Sequence, residues 1–218
     1  MPNLYYIYIG ILCLTTLIGL VRFKLLTPEL RIILFLTFFS LPIELAKKFT
    51  AFRGELDHIY SITEIVIISY YYYRLAYNKK ITLVIIAICT VMYIAIFAQP
   101  GYFGSKVFYD RTVGQLAICI LVIQYFTDLI RKPMTHPLNR DGDFWVNVGN
   151  IMFFSGTLIY FAIKSANIHI QDEVFQKIQY INHFLNMFLY IAYAIGFALE
   201  NRKKGQGNKV FLGKSMAL

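Results

Sequence analysis

Residues 81–97 read ITLVIIAICTVMYIAIF and contain no charged side chain. At about 1.5 Å of rise per residue, a helix of roughly twenty such residues spans a bilayer core of roughly 30 Å. The strands of a membrane β-barrel would alternate apolar and polar residues, and this stretch does not alternate. It therefore predicts a membrane-spanning α-helix.

Further apolar runs of similar length fill most of the 218-residue chain, and short charged connectors separate them. Hydrophobic residues make up 58% of the sequence and charged residues 15%, against about 25% charged in an average soluble domain. The chain is thus divided into a transmembrane domain, 1–200, and a basic cytoplasmic tail, 201–218. The pattern predicts an all-α, polytopic membrane protein with seven transmembrane helices at residues 5–21, 32–46, 58–77, 81–98, 107–130, 144–163 and 175–199.

The distribution of Lys and Arg predicts the orientation of these helices. About two thirds of the 21 basic residues lie in the odd-numbered connectors and in the tail. Because positive charge stays on the cytoplasmic side, we predict that the amino terminus faces out and the carboxyl terminus faces in. The net charge of +9 then lies next to anionic membrane lipid, so it does not indicate nucleic-acid binding.

Polar side chains inside a bilayer are costly unless they face the bundle interior or water, so they are the main indicators of function. In the seventh run they form one helical face that includes Asn182, His183 and Asn186. The carboxylates of Glu44 and Glu64, on the second and third runs, lie in the same outer half of the bilayer. If these helices are neighbours, the five residues line an outward-facing cavity that binds a small molecule or a lipid.

Other polar and aromatic residues are expected to have structural roles. Asn147 and Asn150 lie near the cytoplasmic end of the sixth run, where hydrogen bonds between helices are expected, and Gly149 and Gly156 allow a close approach. The run SYYYYRLAY, residues 69–77, predicts an aromatic belt at the membrane interface. The three cysteines lie inside predicted helices, where we expect small apolar core roles.

Three segments carry a resemblance to known proteins: HIYSITEIVIISYYYYRL (58–75), FWVNVGNIMFFSGTLIYF (144–161) and INHFLNMFLYIAYAIGFALENRKK (181–204). They resemble a group of small bacterial seven-helix membrane proteins whose genes often accompany genes for sensor kinases. The resemblance implies a multi-pass protein of the bacterial inner membrane that senses a ligand and relays the signal to a separate kinase. It does not identify the ligand.

Two other functions stay open at this point, an intramembrane hydrolase that acts on lipid and a small transporter. Seven-helix zinc hydrolases of the alkaline ceramidase type place three histidines around the metal, but only His58 and His183 could approach each other here. We therefore predict no metal site and no cofactor, and the residues show no catalytic signature. An odd number of spans without an internal repeat is also unlike most secondary transporters.

Overall fold

A computed structural model of the protein describes residues 2–50, 53–98, 109–131, 137–165 and 172–200. The predicted basic tail, 201–218, lies outside these residues. Within the described residues, the prediction of an all-α protein with seven helices is confirmed, and a short 3-10 helix, Leu138–Arg140, precedes the sixth. The helices are α1 (Pro2–Val21), α2 (Pro28–Phe49), α3 (Arg53–Leu75), α4 (Lys79–Phe97), α5 (Tyr109–Arg131), α6 (Gly142–Ser165) and α7 (Asp172–Leu199).

Five of these helices are long and apolar enough to cross a membrane, namely α1, α4, α5, α6 and α7. The other two, α2 and α3, have 22 and 23 residues and are therefore of similar length, but they carry more charged side chains. The described part of the chain is thus a bundle of long helices with the composition of a multi-pass membrane protein.

The boundaries of α2 follow from ordinary capping signals. The Thr27 side chain accepts a hydrogen bond from the backbone N–H of Leu30, and Pro28 occupies the first turn, where its missing N–H is not needed. Glu29 lies in the first turn and Lys47 in the last, so both charges complement the helix dipole.

Six of the helices form a closed ring. Neighbours pack in the order α1, α2, α3, α5, α6 and α7, and α7 packs against α1 to complete the ring, whereas α4 packs on α3 and α5 from outside. Cys119 is buried, but Cys13 is exposed, so the predicted core role is wrong for Cys13, which lies on the outer side of α1. The ring is filled by buried apolar side chains that include Leu12, Leu30, Ile33, Ile68, Ile118, Val122 and Phe154.

The first and last helices, α1 and α7, run parallel in constant register. The Thr15 hydroxyl donates to the backbone carbonyl of Tyr190 at 2.9 Å, and Arg22 Nε donates to the carbonyl of Phe197 at 2.9 Å. The two residues of each pair are 175 positions apart in the sequence, so a step of seven residues along α1 matches a step of seven residues along α7 in the same direction. A spacing of about seven residues between equivalent contacts is typical of helix pairs with a left-handed crossing.

The close packing of α6 on α7 depends on glycines spaced along one face of α6. A Cβ atom added at Gly149 would lie 2.8 Å from the Cβ of Ala192, and one at Gly156 would lie 2.6 Å from Leu185 Cδ1. At Gly142 it would lie 2.7 Å from a backbone carbonyl oxygen of α7. An added side chain at Gly142 or Gly149 would force the helices apart, whereas at Gly156 the end of the Leu185 side chain would have to shift. The predicted close approach at Gly149 and Gly156 is confirmed.

Candidate functional site

The five side chains predicted to bind a ligand all line one cavity of about 380 Å³. Glu44 comes from the end of α2, Glu64 from α3, and Asn182, His183 and Asn186 from the first half of α7. Each helix of the ring contributes to the wall, while α4 contributes none of the described lining residues. The structure thus brings the five residues together at one end of the ring, and their binding of a ligand stays a prediction.

The helix α1 is part of this site, which the sequence did not indicate. It packs between α2 and α7 in the ring. The ring centroid of Tyr8 lies 6.3 Å from that of His183 and 5.8 Å from that of Tyr190. On α7 itself, Asn186 Nδ2 donates to the backbone carbonyl of Asn182 at 2.9 Å.

Four charged side chains form an ion-pair network in the cavity wall. Lys47 Nζ lies 2.7 Å from Glu44 Oε1 and 2.7 Å from Asp57 Oδ1. Arg111 Nη2 lies 3.3 Å from Asp57 Oδ1 and donates to the Asp57 backbone carbonyl at 2.8 Å. Two cations balance two carboxylates, which offsets part of the cost of removing each charge from water. The network also joins the ends of α2, α3 and α5.

Glu64 has a different environment from the other two carboxylates. The Tyr60 hydroxyl donates to Glu64 Oε1 at 3.2 Å, and Ser40 Oγ lies 3.2 Å from the Tyr60 hydroxyl. Among the residues that the structure describes, no cationic nitrogen lies within 4.0 Å of the Glu64 carboxylate. A neutral hydroxyl group, that of Tyr60, therefore holds this carboxylate, and no described residue forms an ion pair with it.

Gln115 of α5 lines the same cavity and is only 6% exposed. Its Oε1 atom is buried and accepts no hydrogen bond from any described residue. A buried oxygen without a donor costs about 1–3 kcal/mol relative to one that is satisfied. Gln115 is therefore a position where a bound molecule that carries a hydrogen-bond donor would gain free energy.

Four polar residues of this wall were not predicted from the sequence as ligand-site residues, namely Lys47, Asp57, Arg111 and Gln115. One signal for Lys47 was present, because it follows Glu44 by three residues, a spacing that places both on one helical face. Arg111 lies inside a predicted membrane helix, where a charge needs a partner. The identity of that partner depends on helix packing, which the sequence alone does not reveal.

A second polar cluster, the α3–α6–α7 network, crosses three helices beyond the cavity. The Tyr193 hydroxyl donates to Asn150 Oδ1 at 2.6 Å, and Asn150 Nδ2 donates to the Tyr72 hydroxyl at 2.9 Å. The hydrogen bonds continue in order through Tyr193, Asn150, Tyr72, Asn147, Tyr71 and Asp143.

The far half of this network ends at the first turn of α6. The Tyr72 hydroxyl donates to Asn147 Oδ1 at 2.8 Å, Asn147 Nδ2 donates to the Tyr71 hydroxyl at 3.2 Å, and that hydroxyl donates to Asp143 Oδ1 at 3.0 Å. Each amide and hydroxyl in the network therefore has a partner. The predicted structural role of Asn147 and Asn150 agrees with this arrangement.

The predicted aromatic belt at residues 69–77 is wrong for two of its tyrosines. Tyr71 and Tyr72 are 0% and 2% exposed, and both donate hydrogen bonds to α6. Tyr70, which is 51% exposed, lies on the outer side of the same helix. A helix turns by about 100° per residue, so consecutive tyrosines face different surroundings, and those that face α6 find polar partners there.

No protein-family model matches this chain, and neither a curated protein nor a solved structure is significantly similar to it. Within the described residues, no group of three His, Cys, Asp or Glu side chains is positioned to hold a metal ion. The cavity and the α3–α6–α7 network are therefore the features on which a function can be proposed.

Proposed function

We propose that this chain is a multi-pass protein of the bacterial inner membrane that acts as a sensor or receptor-like subunit. Its outward-facing cavity binds a small molecule or a lipid, and its inner end relays the bound state to a separate kinase, either cytoplasmic or membrane-bound. The observation that carries the proposal is that α7 contributes both to the cavity and to the α3–α6–α7 network.

All seven helices cross the bilayer in this proposal, including the two more polar ones. The charged residues of α2 and α3 at this end, Glu44, Asp57 and Glu64, line the cavity, so crossing the bilayer does not expose them to lipid. At the other end of the pair, Arg74 Nη2 of α3 lies 3.2 Å from Glu29 Oε1 of α2. The two helices are thus held together at both ends by ion pairs.

The parallel packing of α1 and α7 supports an odd number of crossings. An even number of crossings would make the first and last helices antiparallel, which the constant register between them contradicts. With the amino terminus outside, reporter fusions after Lys80 and Lys204 should be cytoplasmic, and a fusion at Gly101 should be external. An external signal after Lys204 would reverse the orientation and place the cavity on the cytoplasmic side.

The relay depends on a short path along α7. The Tyr190 ring lies 5.8 Å from that of Tyr8 at the cavity and 6.1 Å from that of Tyr193. Tyr193 in turn donates to Asn150, the first α6 member of the network. A ligand that shifts α7 would change the position of Tyr193 relative to α6, and packed interfaces respond to such shifts by moving between discrete arrangements.

The proposal is tested with a fluorophore on the inner connector. The native cysteines are replaced, Arg140, which is exposed, is changed to Cys and labelled, and the protein is placed in lipid nanodiscs. Native mass spectrometry identifies any molecule that copurifies, and this molecule is removed and then added back. We expect its return to change the fluorescence, and we expect Tyr193→Phe to weaken this change while binding is kept. Binding to the parent protein without any change at the label would refute the relay.

A small transporter is the second candidate, because the α3–α6–α7 network continues the polar path from the cavity region towards the inner end of the bundle. Proteoliposomes distinguish the two functions. A receptor binds its ligand without accumulating it, whereas a transporter concentrates the ligand in the vesicle lumen when a proton gradient is applied. Accumulation that Asn150→Leu abolishes would favour transport.

A further inference from the structure

The charges of the cavity are unevenly distributed. Lys47 pairs with Glu44 and Asp57, and Arg111 pairs with Asp57, so two cations balance two carboxylates in this part of the wall. Glu64 lies seven residues after Asp57 on α3, roughly 10 Å further along the helix. It has no cation within 4.0 Å among the described residues. The carboxylate that no described cation balances therefore lies in the deeper part of the cavity.

Gln115 adds a second acceptor to the same part of the cavity. It follows Arg111 by four residues on α5, which is one helical turn further from the ion-pair network. Its Oε1 atom is buried and has no hydrogen-bond donor among the described residues. Glu64 and Gln115 come from adjacent helices, because α3 and α5 pack together in the ring. Two acceptors of the same cavity thus have no positively charged donor among the described residues.

Aromatic side chains make up much of the remaining wall. Tyr8, Tyr60, Phe153, Phe154 and Phe161 line the cavity together with the polar groups. Aromatic rings offer apolar surface to the body of a ligand, and their faces attract cations within about 6 Å of the ring centroid. The site already shows this preference, because Lys47 Nζ lies 4.9 Å from the Tyr60 ring centroid.

From these three observations we infer that the cavity recognises a small primary amine, with the ammonium group bonded to Glu64, and to Gln115 Oε1 once that side chain turns towards it, and with an apolar body against the aromatic wall. An ammonium group supplies both a positive charge to pair with the Glu64 carboxylate and an N–H donor for Gln115 Oε1. The volume of about 380 Å³ lies in the range of small-molecule sites. This inference rests on the proposed function only in that the cavity binds a ligand.

Four probes of similar shape test the inference: 2-phenylethylamine, its N-trimethylated analogue, 2-phenylethanol and 3-phenylpropanoate. Binding to the full chain in nanodiscs is measured by calorimetry. The amine should bind roughly tenfold to hundredfold more tightly than the alcohol, which corresponds to one charge-assisted hydrogen bond. The trimethylated cation should be intermediate, because it keeps the charge but has no N–H, and the carboxylate should bind most weakly.

Variants assign the effect to the two acceptors. Glu64→Gln should remove most of the preference for the amine over the alcohol, and Gln115→Leu should reduce it by a smaller factor. The matched control is Glu29→Gln, since Glu29 is also a buried carboxylate but is paired with Arg74 at the other end of the bundle. It should leave the probe affinities unchanged. A melting curve for each variant establishes that it is folded.

The outcomes separate the ligand class from the proposed function. Equal binding of amine and alcohol, tightest binding of the carboxylate, or an amine preference that survives Glu64→Gln would overturn the amine inference, although the cavity would still be a binding site. If none of the four probes binds and the purified protein also carries no molecule, the cavity is not a ligand site. In that case the sensor proposal fails as well.

Discussion

Asn150 is the member of the α3–α6–α7 network whose replacement should have the clearest energetic signature. It is 0% exposed, donates to the Tyr72 hydroxyl and accepts from the Tyr193 hydroxyl. Asn150→Leu keeps the branching and the number of heavy atoms but removes both bonds and leaves the Tyr193 hydroxyl without an acceptor. Hydrogen bonds inside membrane bundles contribute about 0.6 kcal/mol on average, and an unpaired buried hydroxyl costs about 1–3 kcal/mol. We therefore expect a loss of roughly 2–4 kcal/mol in the free energy of unfolding.

A double-mutant cycle tests this reasoning more strictly than the single variant. Tyr193→Phe alone should cost about 1–3 kcal/mol, because it removes one hydrogen bond and leaves the buried Asn150 Oδ1 without a donor. In the Asn150→Leu background the same change should cost nothing or should stabilise the protein, because it deletes the unpaired hydroxyl. The coupling energy between the two sites should thus be at least about 1 kcal/mol, well above the roughly 0.3–0.5 kcal/mol scatter of independent sites.

Unfolding is measured by circular dichroism during titration with sodium dodecyl sulfate from mixed micelles. The control is Tyr70→Phe, which removes the hydroxyl of an exposed tyrosine on the same helix as Tyr72 and should change the unfolding free energy by less than about 0.5 kcal/mol. If the effects of Asn150→Leu and Tyr193→Phe add, the hydrogen bond between them contributes nothing to stability. The network would then be no basis for a relay through α7.

Three further predictions concern other contacts. Arg22→Met removes two hydrogen bonds, to the carbonyls of Phe197 and Glu200 at the end of α7, so it should lower the free energy of unfolding by about 1–2 kcal/mol and speed amide exchange at that end. Lys24→Met, at an exposed position, should change neither quantity, and equal effects of the two variants would contradict the role of Arg22. Gly149→Ala should lower the stability measured by thermal melting by about 1–3 kcal/mol. In Gly10→Ala the added Cβ meets nothing within 4 Å, so this control should stabilise α1 by up to about 1 kcal/mol. Similar melting temperatures of the two variants would refute the close approach of α6 and α7 at Gly149. Without ligand, Gln115→Leu should raise the unfolding free energy by about 1 kcal/mol, and a decrease would show that Oε1 is satisfied in the folded protein.

The sequence was sufficient to locate the helices and to select residues for the site. Runs of apolar residues of bilayer length left little choice of secondary structure, and the polar face of α7 was visible from its spacing. Depth in the membrane then brought Glu44 and Glu64 to the same level as His183. These are properties of single helices, so they can be read without any knowledge of which helices are neighbours.

The order of the helices in the ring could not be read in this way. Nothing in the α1 sequence states that Tyr8 faces His183, because that contact depends on the rotation of two helices that are far apart in the chain. The same limit explains the error at Tyr71 and Tyr72. A tyrosine is stable at a membrane interface and equally stable inside a bundle that offers its hydroxyl a partner, and only the packing of α3 near α6 distinguishes the two.

The closure of the ring by α1 and α7 has a consequence for how the protein is made. Chains are synthesised from the amino terminus, so α1 is complete well before α7. The carbonyl groups of Phe197 and Glu200 that Arg22 binds do not exist until the end of α7 has been translated. Until then the ring stays open between α1 and α6. The cavity is thus complete only after α7 has been made, and a nascent chain arrested before α7 would lack Asn182, His183 and Asn186 from the cavity wall.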